Sequence, residues 1–227
     1  MAKIFSRVNP SPRYQRLLHQ YQVMHREGET HLGIPPDRTF PGKSLPPQAG
    51  RVKHLIDLTG ARTVLDYGSG KGQQYMPMPF TDESGATYAD IASWWAVKVT
   101  CYDPAYPPHA DLPEGKFDGV ICTDVLEHCP EEDMEWIVGE LFGYARMFVF
   151  ANVACFPANK RLPSGQNAHC TVRPAKWWRA LVERVARHHP HVLYDFRVVH
   201  DEPTSAGVRR TETALSNEAA RGEAARA

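Results

Sequence analysis

The sequence predicts an α/β fold, a mostly parallel, doubly wound sheet with flanking helices, preceded by an N-terminal helical cap segment. Short apolar stretches recur along the chain, and amphipathic helical stretches lie between several of them. This alternation is typical of parallel strands that helices cover on both faces. The length of 227 residues suits one well-buried domain with extra segments and is short for two.

The N-terminal segment is predicted to contain one helix and an irregular connection. Ser11 supplies a cap and Pro12 a first-turn proline, and Gly28 closes a run with helical apolar spacing. Residues 29–50 are rich in Pro and Gly, which favours irregular structure. We therefore assign residues 1–50 to the cap segment.

The domain itself is predicted to span residues 51–200. Its elements in order are a helix ending at Gly60, strands at 62–68, 97–103, 117–124 and 146–154, helices at 131–145 and 174–188, and a strand at 191–200. The remaining residues, 201–227, are polar and rich in alanine, and we expect a mobile tail or a frayed helix there.

Composition argues against several classes of function. Lys plus Arg and Asp plus Glu number 26 each, so no net charge draws the whole chain to nucleic acid or to an anionic membrane. No apolar run approaches the about 18 residues of a membrane span, and the N-terminus lacks the apolar centre of a signal peptide. Five cysteines without a C-x-x-C pair argue against a disulfide framework and a zinc knuckle. We expect a cytoplasmic protein.

The stretch TVLDYGSGKGQQY contains most of the first predicted strand and the glycine-rich loop that follows it. It lacks the Ser or Thr that a P-loop needs after its lysine. The dinucleotide fingerprint fits Gly68 and Gly70 but requires a third glycine where Gln73 stands, which disfavours a nicotinamide-dependent oxidoreductase. The remaining pattern is Asp66-x-Gly68-x-Gly70-x-Gly72.

Two more motifs follow at the ends of later predicted strands. CYDP places Asp103 and Pro104 after the second strand, and DVLEH runs from Asp124 to His128 after the third. Together the three motifs resemble the class I S-adenosylmethionine-dependent methyltransferases, over about residues 50–155. Three matches in the correct order are more specific than any one of them.

The resemblance implies S-adenosylmethionine as the cofactor and methyl transfer as the activity. It implies that the glycine backbone packs against the methionyl part, with Asp66 organising the loop, and that the Asp103 carboxylate accepts both ribose hydroxyls. The predicted cofactor-binding residues are Asp66, Gly68, Gly70, Gly72, Asp103, Pro104 and Asp124.

The chain departs from the family's pattern in two places. Asp103 follows Asp66 by 37 positions, whereas roughly 20 are usual between the two acids. Residues 73–97 therefore contain an insertion, which either lines the adenosyl pocket or lies outside it. The segment between Asp103 and Phe117 is short and rich in proline, so we expect the helix and strand of this region to be reduced.

The methyl acceptor is expected to enter between the N-terminal segment and the long loop after the strand at 146–154, because connections at the carboxyl ends of strands carry specificity. Residues 1–26 contain five basic residues and no acid, which suggests a small anionic acceptor. Predicted acceptor-binding residues are Tyr21, His25, Lys43, Asn152 and Arg173. His169, and after it His128, are the candidates for the general base.

Two alternatives remain open. Asp124, Glu127 and His128 resemble the E-x-x-E-H segment with which some relatives that methylate quinone precursors or RNA ribose hold a divalent ion, and His169 would complete such a site. D-V-L-E-H is common in metal-free small-molecule methyltransferases, so the sequence by itself favours no metal and no nucleic-acid acceptor. The second alternative is a non-catalytic S-adenosylmethionine-binding regulator, which the intact cofactor motifs disfavour.

Overall fold

The computed structural model describes residues 4–82, 84–205 and 207–218. Its helices are α1 (Pro12–Glu27), α2 (Ala49–Thr59), α3 (Ile91–Trp95), α4 (Met134–Tyr144) and α5 (Ala175–Ala186). Its strands are β1 (Thr63–Tyr67), β2 (Phe80–Thr81), β3 (Thr87–Tyr88), β4 (Lys98–Tyr102), β5 (Phe117–Thr123), β6 (Ala145–Cys155), β7 (Leu193–Thr204) and β8 (Gly207–Ser216). Among the described residues, no helix is both long and apolar enough to cross a membrane.

Six strands form the main sheet in the order β4-β1-β5-β6-β7-β8. All neighbouring pairs are parallel except β7 and β8, which are antiparallel. On one face α4 and α5 bury residues such as Leu141 and Trp178, and on the other α2 and α3 bury residues such as Leu55 and Trp95. The predicted doubly wound, mostly parallel fold is confirmed.

The N-terminal cap segment folds as its local signals predict. Ser11 Oγ accepts a hydrogen bond from Tyr14 N at 3.0 Å, and Gly28 N closes the other end of α1 by donating to Met24 O. The segment from there to α2 contains two short 3₁₀ turns and an isolated bridge between Glu29 and Ile34. Leu17 and Met24 of α1 pack against the loop that follows β6. The cap therefore lies over the carboxyl ends of the strands.

Arg7 anchors the beginning of the cap. Its guanidinium forms an ion pair with Glu140 of α4 and donates hydrogen bonds to the hydroxyls of Tyr67 at 2.7 Å and Tyr102 at 2.8 Å. It also lies 5.1 Å from the centre of the Trp136 ring, a cation–π distance. Tyr67 and Tyr102 end β1 and β4, so the cap is fastened to the two strands that precede the predicted cofactor residues.

The C-terminal region differs from the prediction of a mobile tail or frayed helix at 201–227. The sheet continues instead, because β7 extends to Thr204 and β8 pairs with it along its whole length. Only Leu215 of β8 is buried, and cross-strand ion pairs join arginines of β8 to acids of β7. An edge strand held by main-chain bonds and charge pairs has a polar composition, which hid it in the sequence. Residues 219–227 lie outside the described part of the chain.

The two departures from the family's pattern are visible in the fold. The insertion at 73–97 forms a 3₁₀ turn, the small β2–β3 hairpin and α3. Its aromatic residues cluster on one another and against α2, with Trp95 donating to Ala49 O. Of its described residues, Gln74 lines the cavity at the strand ends. Between Asp103 and Phe117 there is one 3₁₀ turn and no strand, as expected.

Candidate functional site

One cavity lies at the carboxyl ends of the parallel strands, beneath the cap. Its volume is about 550 Å³, a size that suits small-molecule sites. The segments that follow β1, β4, β5 and β6 line one side, and α1 with residues 34–44 lines the other. In open α/β sheets this edge is where ligands bind.

The glycine loop after β1 turns sharply beside this cavity. Gly68, Gly70 and Gly72 have φ angles of 84°, 57° and 68°, which glycine adopts readily because it has no Cβ. A Cβ at Gly68 would collide with the Val125 side chain, whereas one at Gly70 would meet nothing closer than Phe40 O at 3.6 Å. The loop is thus packed from behind at Gly68 and leaves open space at Gly70.

Asp103 joins the glycine loop to the end of β4. Its Oδ2 accepts a hydrogen bond from Gly70 N and its Oδ1 accepts one from Ala105 N, both at 2.8 Å. Burial raises the pKa of this carboxyl, and the backbone donors oppose the rise. Each carboxylate oxygen keeps a further lone pair. Asp103 and Pro104 line the cavity, so the acid both positions the loop and can accept from a ligand.

Asp66 lies behind the loop and does not line the cavity. Its Oδ2 accepts hydrogen bonds from Gln74 Nε2 at 2.8 Å and Tyr75 OH at 2.9 Å. Burial raises the pKa of Asp66 to about 6, and these two bonds lower it. Gln74 does line the cavity. Asp66 therefore contributes to the site by holding the Gln74 side chain. Gly72 also lies outside the cavity, facing the His109 ring.

Three predicted acceptor residues of the cap, Tyr21, His25 and Lys43, line the cavity. The His25 ring lies between those of Phe40 and Tyr106, at centroid distances of 4.9 and 5.2 Å. Its buried Nδ1 has no hydrogen-bond partner among the described residues. Burial lowers the pKa of His25 to about 4, and two nearby lysines add to this effect. The ring is therefore neutral near pH 7 and has an unused polar atom.

His128 and His169, the two predicted catalytic residues, pack edge to face with ring centroids 4.9 Å apart. His128 Nδ1 lies 3.0 Å from Ala168 O, and His169 Nδ1 lies 2.5 Å from Phe156 O. Since a carbonyl oxygen only accepts, we assign the proton of each ring to Nδ1. Each Nε2 then carries a lone pair. Tyr21 OH lies 2.8 Å from His128 Nδ1, and it donates its proton to the same carbonyl, Ala168 O.

Both imidazoles are kept neutral by their surroundings. Burial lowers the pKa of His128 to about 3, and the neighbouring His169 contributes to the decrease. Burial also lowers the pKa of His169, although the Phe156 carbonyl opposes it. Both rings offer lone pairs at neutral pH, but a group with a pKa of about 3 is a weak base.

The segment that carries His128 also brings two carboxylates to the site. Glu127 is fully buried, its Oε1 accepts from Ala154 N at 2.9 Å, and its Oε2 has no hydrogen-bond partner among the described residues. Asp124 lines the cavity and accepts a hydrogen bond from Asn152 Nδ2. Burial raises the pKa of both acids, and the charge of Asp124 adds to the rise at Glu127.

Glu127, His128 and His169 each offer one ligand atom, and these three atoms lie within 4.8 Å of one another. Asp124, which belongs to the same sequence motif, does not belong to this group. Three of the four residues that the sequence named as a conceivable metal site therefore come together in space.

Two predicted acceptor residues, Arg173 and Asn152, lie outside the cavity. Arg173 is exposed and pairs with Glu131 at 2.6 Å, because the loop has already turned toward α5 at that point. Asn152 is buried on β6 behind Asp124. The cavity therefore brings together Tyr21, His25 and Lys43 of the predicted acceptor set, but not Asn152 and Arg173. Trp178, which closely follows this loop, is a fully buried core residue.

Sequence reasoning missed Phe40 and placed no role on Lys160. Both line the cavity, and Lys160 Nζ lies 4.6 Å from the centre of the Phe40 ring. Burial lowers the pKa of Lys160, while Glu29 and Asp124 oppose the decrease. No sequence signal separates this lysine from the other basic residues of its loop, and Phe40 lies in a segment without periodicity.

No protein-family model matches the chain, and no curated protein sequence matches it. Its structure is similar to the crystal structure of Burkholderia thailandensis 1,6-didemethyltoxoflavin-N1-methyltransferase with bound 1,6-didemethyltoxoflavin and S-adenosylhomocysteine. The TM-score is 0.50 at 12% sequence identity, and the match covers 91% of this chain and 90% of that chain. The chain has the class I methyltransferase fold.

In this methyltransferase fold, Asp103 is predicted to accept the cofactor's ribose hydroxyls. We expect Asp103→Ala to weaken S-adenosylhomocysteine binding by about 1–3 kcal/mol, the cost of hydrogen bonds to a charged acceptor. Calorimetry with S-adenosylhomocysteine and with its 2′-deoxy analogue measures this. The wild type should discriminate between the two ligands and the variant should not.

Asp111→Ala, an exposed acid of the same segment, serves as the control and should bind like the wild type. Equal discrimination by Asp103→Ala and the wild type would show that the ribose does not lie on Asp103.

The buried Asp66 should make stability depend on pH. Its pKa of about 6 lies above the ordinary aspartate value of 3.8, so the folded state holds the proton more tightly than the unfolded state. This contribution to stability is present below pH 4 and is lost as pH rises through about 6. Relative to Asp66→Asn, the wild type should therefore lose about 1–3 kcal/mol of unfolding free energy between pH 4 and pH 7.5.

Urea unfolding of the wild type and of Asp66→Asn at the two pH values measures this change in unfolding free energy. The contributions of other titrating groups are common to both proteins and cancel in the comparison. A difference that stays constant with pH would mean that the pKa of Asp66 is the same in the folded and unfolded states.

Proposed function

We propose that the protein is an S-adenosylmethionine-dependent methyltransferase that acts on a small-molecule acceptor. The supporting observation is that a single cavity touches both the glycine loop with Asp103 and the His128–His169 pair. The first set follows β1 and β4, and the second follows β5 and β6. A cofactor and an acceptor in this cavity would lie side by side along the sheet edge.

The cofactor half of the cavity fits an adenosyl-methionine ligand. Gly70 leaves the backbone open to close approach, and Asp103 retains acceptor capacity on a buried carboxylate. The neutral His25, whose Nδ1 has no hydrogen-bond partner within the described ranges, faces the same loop. When bound, S-adenosylmethionine supplies a methyl group already activated on a sulfonium, so the protein needs no covalent nucleophile.

The chain's own contribution is alignment, exclusion of water and contact with the reacting atom. Apolar and aromatic residues of α1 and Phe40 close the cavity over the strand ends. His128 and His169, whose Nε2 atoms carry lone pairs, line the cavity on the side of β5 and β6. We propose that the acceptor's reacting atom contacts His128 and His169. Both histidines are therefore proposed catalytic residues.

The acceptor is proposed to carry a negative charge. Arg38, Lys43 and Lys160 line the cavity, and no ion pair joins any of the three to a carboxylate in the described part of the chain. Lys160 is half-buried and packs on the Phe40 ring, so its ammonium is both desolvated and positioned. Together, Phe40 and Lys160 suit a planar acceptor with an acidic group.

The proposal is tested by ligand preference and by product formation. S-adenosylhomocysteine at 100 times its Kd should stabilise the fold by about 2.7 kcal/mol, whereas NAD should leave the melting temperature unchanged. Incubation of a metabolite extract with methyl-labelled S-adenosylmethionine, followed by mass spectrometry, should show a labelled product that heat-denatured protein does not form.

Stabilisation by NAD alone would overturn the cofactor assignment. Stabilisation by S-adenosylhomocysteine without any labelled product in metabolite or RNA extracts would favour a cofactor-binding regulator.

Lys160→Met tests the charge of the acceptor. With the acceptor found in that experiment, kcat/KM should fall roughly 10–100-fold, since a buried charge-assisted contact is lost. The affinity for S-adenosylhomocysteine should remain that of the wild type. Lys176→Met, an exposed lysine outside the cavity, is the matched control. Equal kcat/KM in both variants would mean that the acceptor has no anionic group at Lys160.

A further inference from the structure

We propose that His25 of α1 binds the methionyl carboxylate of S-adenosylmethionine, so that the cap forms part of the cofactor site as well as the acceptor site. This role rests on the proposed function, since it concerns the cofactor of the same cavity. The sequence predicts His25 as an acceptor residue. His25 is only 8% exposed and lines the cavity beside Gly70, the loop residue whose N–H the Asp103 carboxylate accepts.

The nitrogen-bearing edge of the His25 ring faces the glycine loop. Its Cε1, the carbon between the two ring nitrogens, lies 3.9 Å from the position that a Cβ would occupy on Gly70. Phe40 O lies 3.6 Å from the same position. A ligand atom in this space would contact the loop backbone and the polar edge of the ring together. Because the glycine loop is predicted to pack against the methionyl part of the cofactor, a group of that part would reach His25.

Aromatic contacts hold the ring in this orientation. The His25 ring centroid lies 4.9 Å from that of Phe40 and 5.2 Å from that of Tyr106. Tyr106 belongs to the segment after β4, where its N donates to Asp103 O at 3.1 Å. His25 is therefore packed between the cap and the two segments after β1 and β4, where the cofactor is predicted to lie.

An unused hydrogen-bonding atom indicates that a ligand belongs beside this ring. His25 Nδ1 is buried and has no hydrogen-bond partner in the described part of the chain. A buried polar atom without a partner costs free energy. A phenylalanine would make the same aromatic contacts without that cost. Packing therefore gives no reason for a histidine at this position, whereas a polar ligand group does.

The surrounding charge selects the carboxylate of the methionyl part over its ammonium group. Burial lowers the pKa of His25 to about 4, and the charges of Lys71 and Lys160 lower it further. The ring is therefore neutral near pH 7 and donates one N–H in a region of positive potential. Such a donor favours an anion, because hydrogen bonds to a charged acceptor are stronger than those between neutral groups. The ammonium would be repelled by the two lysines.

The test compares two ligands by calorimetry: S-adenosylhomocysteine, and methylthioadenosine, which keeps the adenosyl group and the sulfur but lacks the amino-acid end. His25→Phe, which preserves the aromatic packing, should weaken S-adenosylhomocysteine binding roughly 10–100-fold, as expected for a lost hydrogen bond to a charged group. Its affinity for methylthioadenosine should equal that of the wild type. His19→Phe, at an exposed histidine of α1, is the matched control and should bind both ligands like the wild type.

Equal losses for both ligands in His25→Phe would mean that the histidine only supports the fold of the cap, and unchanged affinity for both would return it to the acceptor. Either result overturns this role of His25 and leaves the proposed function standing, because the wild type still binds S-adenosylhomocysteine. Circular dichroism checks that the variant is folded, and His25→Met, with a more adaptable apolar side chain, gives the same comparison if it is not. A wild type that binds neither ligand would remove the proposed function, and this role with it.

Discussion

The parallel pairing of β1 with β4 on one side and β5 on the other is the constraint on which the site depends. Tyr67 stands opposite Tyr102, so Gly68 and Asp103 leave the sheet side by side. Beyond the end of β1, the backbone N–H groups of the glycine loop no longer pair with a neighbouring strand in the regular sheet pattern. Gly68 N and Ser69 N turn back to Tyr102 O, and Gly70 N turns to the Asp103 carboxylate. The same hydrogen bonds that end the strands therefore create the glycine loop's shape.

The cap segment closes the cavity that lies at the strand ends. Arg7 binds the last side chains of β1 and β4, and Ser11 N donates to Asp133 before α4, so both the start of the segment and the start of α1 are fixed. With α1 fixed there, Tyr21 reaches His128 and the Ala168 carbonyl. The roof of the cavity is thus coupled to its polar groups by direct contacts.

Unsatisfied polar atoms concentrate around this one cavity. Glu127 Oε2 and His25 Nδ1 are buried without partners among the described residues, and Asp66 Oδ1 lies just behind the glycine loop in the same condition. Each costs stability in a fold whose other buried groups are largely paired. Such local costs are expected where a ligand supplies the missing hydrogen-bond partner. Unpaired polar atoms are therefore a physical sign of a binding site, and the packing of the apolar core gives no such sign.

The sequence by itself determined the strands of the parallel sheet, the caps of α1 and the position of the glycine loop and Asp103, because these follow from local apolar runs and from motifs at strand ends. It did not reveal β8, whose pairing relies on main-chain bonds and cross-strand charges. Tertiary structure alone decided that Lys160 enters the cavity while Arg173 leaves it. It also brought His169 beside Glu127 and His128, because a loop's path depends on the surfaces against which it packs, and no local signal records those surfaces.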